Sequence, residues 1–312
     1  MTPPAATDRW GLPLGLSAFL LWGAMPLFFP LLEPAGALEI IAHRIVWSLV
    51  FCVVLLAATR SLGSFLAVLR RPRTMGLLTL ASALIIVNWT TYVYAVLTGH
   101  VLDAALGYFI NPLLTVALGV VVLRERLRPA QWMALGLGGA AVVVLSTGVG
   151  GIPWISLVLA GAFGLYSLVK NRVGRGVGAL PGLAAETAVA TPLALGYLGW
   201  LAATGVGTFS TQGVGHALLL VSCGVVTGLP LLLFSAAARR LPLSVVGMLQ
   251  YLTPFLQFLL GLLVFGEHMP PVRWAGFVLV WVALVVLTVD GVRQSRATRL
   301  AAAAPATVDL EP

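Results

Sequence analysis

Charge is what this sequence has least of. Asp, Glu, Lys and Arg make up 9% of its 312 residues, while 60% are hydrophobic. A soluble domain carries about 25% charged and about 45–50% apolar residues, so this composition cannot cover a water-facing surface. Lipid as the solvent removes that requirement. Cysteine is almost absent: Cys52 and Cys223 each sit inside an apolar run, which argues against a disulfide framework or thiolate metal site and leaves packing residues. There is no Walker A sequence, so ATP-driven pumping by this chain alone is not expected. The stretch Gly136-Leu-Gly138-Gly139-Ala-Ala141 fits the dinucleotide pattern GxGxxA, but it lies in an apolar run and follows no strand, so the match is accidental. No nucleophile triad and no His/Cys/Asp/Glu cluster with metal-ligand spacing is visible. The chain is not expected to be an enzyme or to carry a cofactor or metal.

What is present is a series of long apolar runs. A membrane span needs about 20 mostly apolar residues. Ten runs qualify: 12–32, 38–58, 77–97, 104–123, 131–149, 152–170, 182–203, 214–237, 243–265 and 271–290. The first run is followed by Ala35-Gly36-Ala37, which resembles a signal-peptide cleavage site. It is too long for a usual h-region, is interrupted by Pro26 and Pro30, and opens a series of similar runs, so it reads as the first span. Residues 1–11 and the Ala-rich tail 291–312 read as disordered cytoplasmic ends.

The basic residues (18 against 10 acidic) do not form the water-facing stripe that nucleic acid requires. They sit in short loops. With the N-terminus placed in the cytoplasm, 16 of the 18 fall in inner segments; Arg44 and Arg273 are the exceptions, near outer helix ends. That alternation predicts cytoplasmic N- and C-termini and an even span count.

The chain also repeats. Shifting 106–145 by 142 residues lays Pro112 on Pro254, Gly119 on Gly261, Glu125 on Glu267, Pro129 on Pro271 and Trp132 on Trp274. Residues 12–149 and 150–290 are therefore expected to be two five-helix repeats. Five is odd, so the second repeat must be inverted, the plan on which many secondary transporters build two gates around one site.

Polar groups inside the bilayer are costly and each needs a reason. Glu39 and His43 share a helix face, with Arg44 about 100° further round. Together they suit a proton-titrating site or an anion clamp; the alternative is an outer-surface ion-pair cluster with Arg44 snorkelling. Glu186 corresponds to Glu39 from the opposite side and suits a gate or proton relay, or else pairs with Lys170 or Arg172. Asn88, Trp89 and Tyr92 can line a cavity or simply pack. Gly107-Tyr108-Phe-Ile-Asn111-Pro112 and Gln250-Tyr251-Leu-Thr-Pro254 are symmetry-related sites where proline removes a helical hydrogen bond. They predict broken helices, with Tyr108, Asn111, Gln250 and Tyr251 lining a polar cavity or Pro112 and Pro254 acting as hinges. Gly224 and Gly228 form a small-xxx-small pair suited to a close helix crossing.

These residues carry a resemblance. Glu39 with His43-Arg44-Ile-Val-Trp47-Ser48, Asn88-Trp89, Leu106-Gly-Tyr-Phe-Ile-Asn-Pro112-Leu, Gly119 with Glu125-Arg126, Glu186-Thr187, Leu243-Ser244 with Gly247, and Gln250-Tyr251 with Pro254 are together similar to the RarD branch of the EamA-type transporters, within the drug/metabolite transporter superfamily. The chain departs at Leu123-Arg124, where a small residue would be expected before Glu125. The resemblance implies a ten-helix inverted-repeat carrier in the bacterial cytoplasmic membrane. In that arrangement the first four helices of each half surround a cavity and the fifth is peripheral. It also implies export of metabolites, amino acids or toxic compounds; the branch's association with chloramphenicol sensitivity is a label, not a substrate.

The expectation is an all-α membrane protein working as a secondary transporter by alternating access. Its partners would be a small molecule and lipid, with protons as a candidate coupling ion and no nucleic acid. The competing readings are a passive channel, a lipid-translocating protein, and a non-transporting scaffold or sensor.

Overall fold

In hydrocarbon every backbone N–H and C=O must be satisfied within the protein, and a long apolar run meets that condition by coiling into a helix. The computed structural model describes residues 10–123, 127–148, 151–173 and 176–303, with backbone alone at 123, 148, 243, 244 and 295–303. Glu125, with Arg9, Arg124, Arg126 and Arg175 of the charge argument, lies outside the described residues. The helices are α1 Gly11–Gly23, α2 Met25–Phe28 with a 3-10 turn Phe29–Leu32, α3 Ala37–Ala58, α4 Leu62–Leu69, α5 Pro72–Leu97, α6 Val101–Leu123, α7 Pro129–Gly148, α8 Trp154–Val173, α9 Ala179–Thr204, α10 Gly213–Ala238, α11 Leu243–Leu249, α12 Leu252–Leu263 and α13 Pro271–Ala303.

Among the described residues nine helices are long and apolar enough to cross a membrane, Val245–Leu263 counting as one. A tenth crossing arises if α1 and the Met25–Leu32 segment, bent by 47°, form one span. That bend falls where Pro26 withholds a backbone donor.

Two expectations need correction. Pro112 does not break its helix: α6 runs through it from Val101 to Leu123. A proline removes one hydrogen bond, and the rest of a helix in an apolar setting has no water to bond instead. In the other half the break is real but precedes the proline. It falls at Gln250-Tyr251, and Pro254 sits in the first turn of α12, where its missing N–H leaves no helical bond unmade. The tail is also not disordered from residue 291, since α13 continues to Ala303. Residues 292–303 contain no Gly or Pro and end in alanines, the strongest helix formers.

The described chain forms two compact units. One runs up to Asn111 and resumes at Pro153–Met269; the other holds Pro112–Ile152 and the segment from Pro270 onward. In the first unit α5 packs on α8 and α9, α3 on α9 and α10, and α1 on α10 and α12. In the second, α7 packs along α13, where a Cβ at Gly276 would run into the Leu145 side chain.

The α3–α10 crossing is made by glycine. A Cβ at Gly224 would collide with the Trp47 carbonyl, and one at Gly228 with the Phe51 ring, so the sequence pair Gly224/Gly228 is the close contact. Gly107 does the same against the Ser156 backbone, where Ser156 Oγ donates to the Asp103 carbonyl at 2.6 Å. The N-terminus of α6 is capped from a distance. The Glu267 carboxylate accepts the backbone N–H groups of Val101 and Leu102, a negative charge where the helix dipole favours one.

Beside its apolar core the described chain buries several charged and polar side chains and exposes many large apolar ones. Leu193, Val121 and Val214 are exposed, whereas Glu39, His43, Arg44, Asn88, Glu186 and Gln257 are buried. Apolar side chains outside and polar ones inside is the pattern expected where lipid surrounds the bundle.

Candidate functional site

The first unit gathers most of the polar residues singled out in the sequence. Arg44 lies on α3 with 5% of its surface exposed. The glycine crossing brings α10 close enough for Thr227, between Gly224 and Gly228, to accept a hydrogen bond from Arg44 Nε at 2.8 Å. The guanidinium carbon lies 4.0 Å from the Trp89 ring centroid and 5.9 Å from that of Phe29. Out of water, a cation over an aromatic face is stabilised by about 2 kcal/mol. Among the described residues no carboxylate pairs with Arg44, and Thr227 is its one hydrogen-bond partner.

Around this cation stands a linked set of neutral polar groups. Asn88 Nδ2 donates to the Leu159 carbonyl at 3.0 Å, which leaves Oδ1 to accept from the Tyr108 hydroxyl at 3.2 Å. Tyr108 and Tyr92 meet edge to face at 5.6 Å, and Gln257 Nε2 donates to the Tyr92 hydroxyl at 2.8 Å and to the Trp22 carbonyl at 3.3 Å. Of the seven cavity-lining candidates, Asn88, Trp89, Tyr92 and Tyr108 thus lie together, and they lie beside Arg44. The other three candidates are not part of this network as described: Gln250 is exposed beside the α11–α12 break, and Tyr251 and Asn111 are half-buried.

Thr227 and Gln257 complete the set and were missed. Thr227 had a visible signal, being a hydroxyl on the small-residue face between Gly224 and Gly228. Gln257 had a weaker one, an isolated amide in an apolar run.

The acids are occupied. Glu39 does not bond His43. Its Oε1 accepts from the Thr208 N–H at 2.7 Å and the Thr208 hydroxyl at 3.0 Å. That hydroxyl has spent its one proton, so it accepts from His216 Nε2 at 2.8 Å. Glu39 therefore ties α3 to the loop between α9 and α10. His43 stacks on Phe209 of the same loop at 4.9 Å, and its Nδ1 accepts from Trp47 Nε1 at 3.3 Å. That assigns the ring proton to Nε2, a buried atom with no partner among the described residues.

Glu186, on α9, is 2% exposed. It pairs with Lys170 and accepts from the Tyr166 hydroxyl at 3.1 Å, the pairing with Lys170 that the sequence left as the alternative to a relay. A narrow, partly open cleft between α3, α5 and α9 is lined by Glu186, Thr187, Ser82, Ile45 and Trp89. Trp89 thus faces both this cleft and the Arg44 guanidinium. The cysteines are buried free thiols.

Apolar helices facing outward and a connected polar interior define a multi-pass α-helical membrane protein. The EamA-like transporter family matches the chain twice, over residues 9–147 and 151–289. A RarD protein of Streptomyces exfoliatus is 54% identical over 300 residues, covering 96% of this chain and 95% of its own. The RarD protein of Escherichia coli strain K12 is 37% identical over 294 residues, covering 94% and 99%. The chain belongs to the EamA-like transporter family, as a relative of the RarD proteins in the drug/metabolite transporter superfamily. One solved crystal structure shares the fold with a TM-score of 0.58 at 21% identity, covering 91% of this chain and 99% of that one.

Proposed function

We propose that this protein is a secondary transporter of the cell membrane that moves a small metabolite, amino acid or drug-like solute, in the export direction, by alternating access. The observation that carries this reading is the linked set of buried and half-buried side chains Arg44, Asn88, Trp89, Tyr92, Tyr108, Thr227 and Gln257. Both family repeats contribute to it: α3, α5 and α6 from the first, α10 and α12 from the second. A solute site between two repeats is where a carrier can be exposed to either side in turn.

Two inverted repeats with both termini in the cytoplasm form part of the proposal. It is supported by the odd number of spans per repeat, by the placement of basic residues, and by swapped packing. The first helix of each repeat, α1 or α8, packs on the third helix of the other, α10 or α5, as a two-fold relation requires.

The Glu39–Thr208–His216 and Lys170–Glu186–Tyr166 groups are proposed as the closures of the two sides and as candidate proton sites, His43 included. Transport that ignores a pH gradient, and full rates in Glu39→Gln and Glu186→Gln, would remove the proton from the account.

The test is solute counterflow in liposomes holding the purified protein. Accumulation of a labelled solute against unlabelled solute inside is the expected result. Unitary currents without counterflow would make the protein a channel.

A further inference from the structure

Arg44 is a fixed cation, 5% exposed, in a chain where lipid surrounds the bundle. Removing one partner of a buried ion pair leaves an uncompensated charge that is strongly destabilising, yet no carboxylate of the described chain answers this one. The two buried acids among the described residues are engaged elsewhere, Glu39 by Thr208 and Glu186 by Lys170. What holds Arg44 is a hydroxyl on one side and aromatic faces on the other. Thr227 takes Nε, and the other guanidinium N–H groups make no hydrogen bond among the described residues. Those are the donors that bind a carboxylate in a fork.

We infer that the transported solute is an organic monoanion whose carboxylate pairs with Arg44 and whose apolar body lies against Trp89, Tyr92 and Tyr108. This rests on the transporter reading. The sign follows from Arg44, since a solute cation brought beside it would meet a like charge in a low dielectric. The single charge follows from what surrounds it. Asn88, Tyr108, Tyr92, Gln257 and Thr227 are all neutral, and Lys170 is bound to Glu186. A dianion such as a phosphate ester would keep an unanswered charge. The apolar body follows from the walls: Phe29, Tyr92 and Tyr108 meet edge to face around the site.

The test compares cells expressing the full chain with cells carrying an empty vector, by untargeted mass spectrometry of medium and cell contents. Solutes redistributed across the membrane are sorted by charge at neutral pH. The expected set is organic monoanions. The solute so found should bind purified protein about tenfold or more tightly than its neutral amide, the scale of one charge-assisted hydrogen bond. Arg44→Gln should lose that preference. Arg44→Lys should keep part of the transport, and Thr227→Val, which keeps the cation and removes its anchor, should raise KM several-fold. A redistributed set of neutral or cationic solutes overturns the inference while the transporter reading stands. So does equal binding of acid and amide by wild-type protein, an outcome that does not depend on any variant folding. No redistribution of any solute overturns the transporter reading, and the inference with it.

Discussion

The two compact units differ in what they bury. Every buried polar side chain among the described residues, from Glu39 to Gln257, belongs to the unit ending at Asn111 and resuming at Pro153. The unit built on α7 and α13 buries Leu113, Ala134, Ala141, Leu145, Phe277, Val280, Ala283 and Leu284. An apolar helix pair in lipid gains from close packing but has no group with which to recognise a solute. A polar cluster in the same solvent is costly unless its groups satisfy each other or a ligand. One unit is therefore suited to chemistry and the other to holding the fold.

Substitutions in each unit test that contrast. The largest effect is expected at Arg44. Arg44→Gln should lower transport by about 10- to 100-fold, the scale of about 1.5–3 kcal/mol for a hydrogen bond to a charged group, measured as initial counterflow rate. Lys170→Met leaves the Glu186 carboxylate buried without its cation and should cost about 3 kcal/mol of stability. Thermal unfolding in detergent reads this, and adding Glu186→Gln should restore most of the loss. Gln257→Leu removes the donor to Tyr92 and should reduce transport about fivefold, the scale of one neutral hydrogen bond. Gln250→Leu, at an exposed position, should stay within about twofold on the same scale. The smallest effect is expected in the apolar unit. Arg128 and Asp290 form a half-buried ion pair at 2.7 Å, so Arg128→Ala should cost about 1 kcal/mol of stability and leave the counterflow rate unchanged.

The same contrast explains what could be read before folding. The spans were legible because a bilayer of fixed thickness demands runs of about 20 apolar residues, and Gly224/Gly228 were legible because close crossings demand small side chains. Arg44, Asn88 and Tyr108 stood out as polar groups in apolar runs. Their assembly did not, because the stacking of Arg44 on Trp89 depends on how α3 lies against α5, which no local pattern encodes. Unlike Gln257, which has no such neighbours, Gln250 stands out in sequence because it adjoins a tyrosine and precedes a proline. The helix breaks at that glutamine, so the face seen in sequence is reset and the amide seven residues on turns inward instead. Pro112 and Pro254 look equivalent in sequence. One is absorbed inside a continuous helix and the other starts one, a difference set by neighbours rather than by proline.

The most direct measurement is counterflow by matched proteins in liposomes, Asn88→Leu from the polar cluster beside Arg128→Ala from the apolar unit. The account predicts that Asn88→Leu, with the anchor of Tyr108 gone, loses counterflow while remaining folded by size-exclusion elution, and that Arg128→Ala matches wild type. Equal counterflow by folded Asn88→Leu and wild-type protein would contradict it.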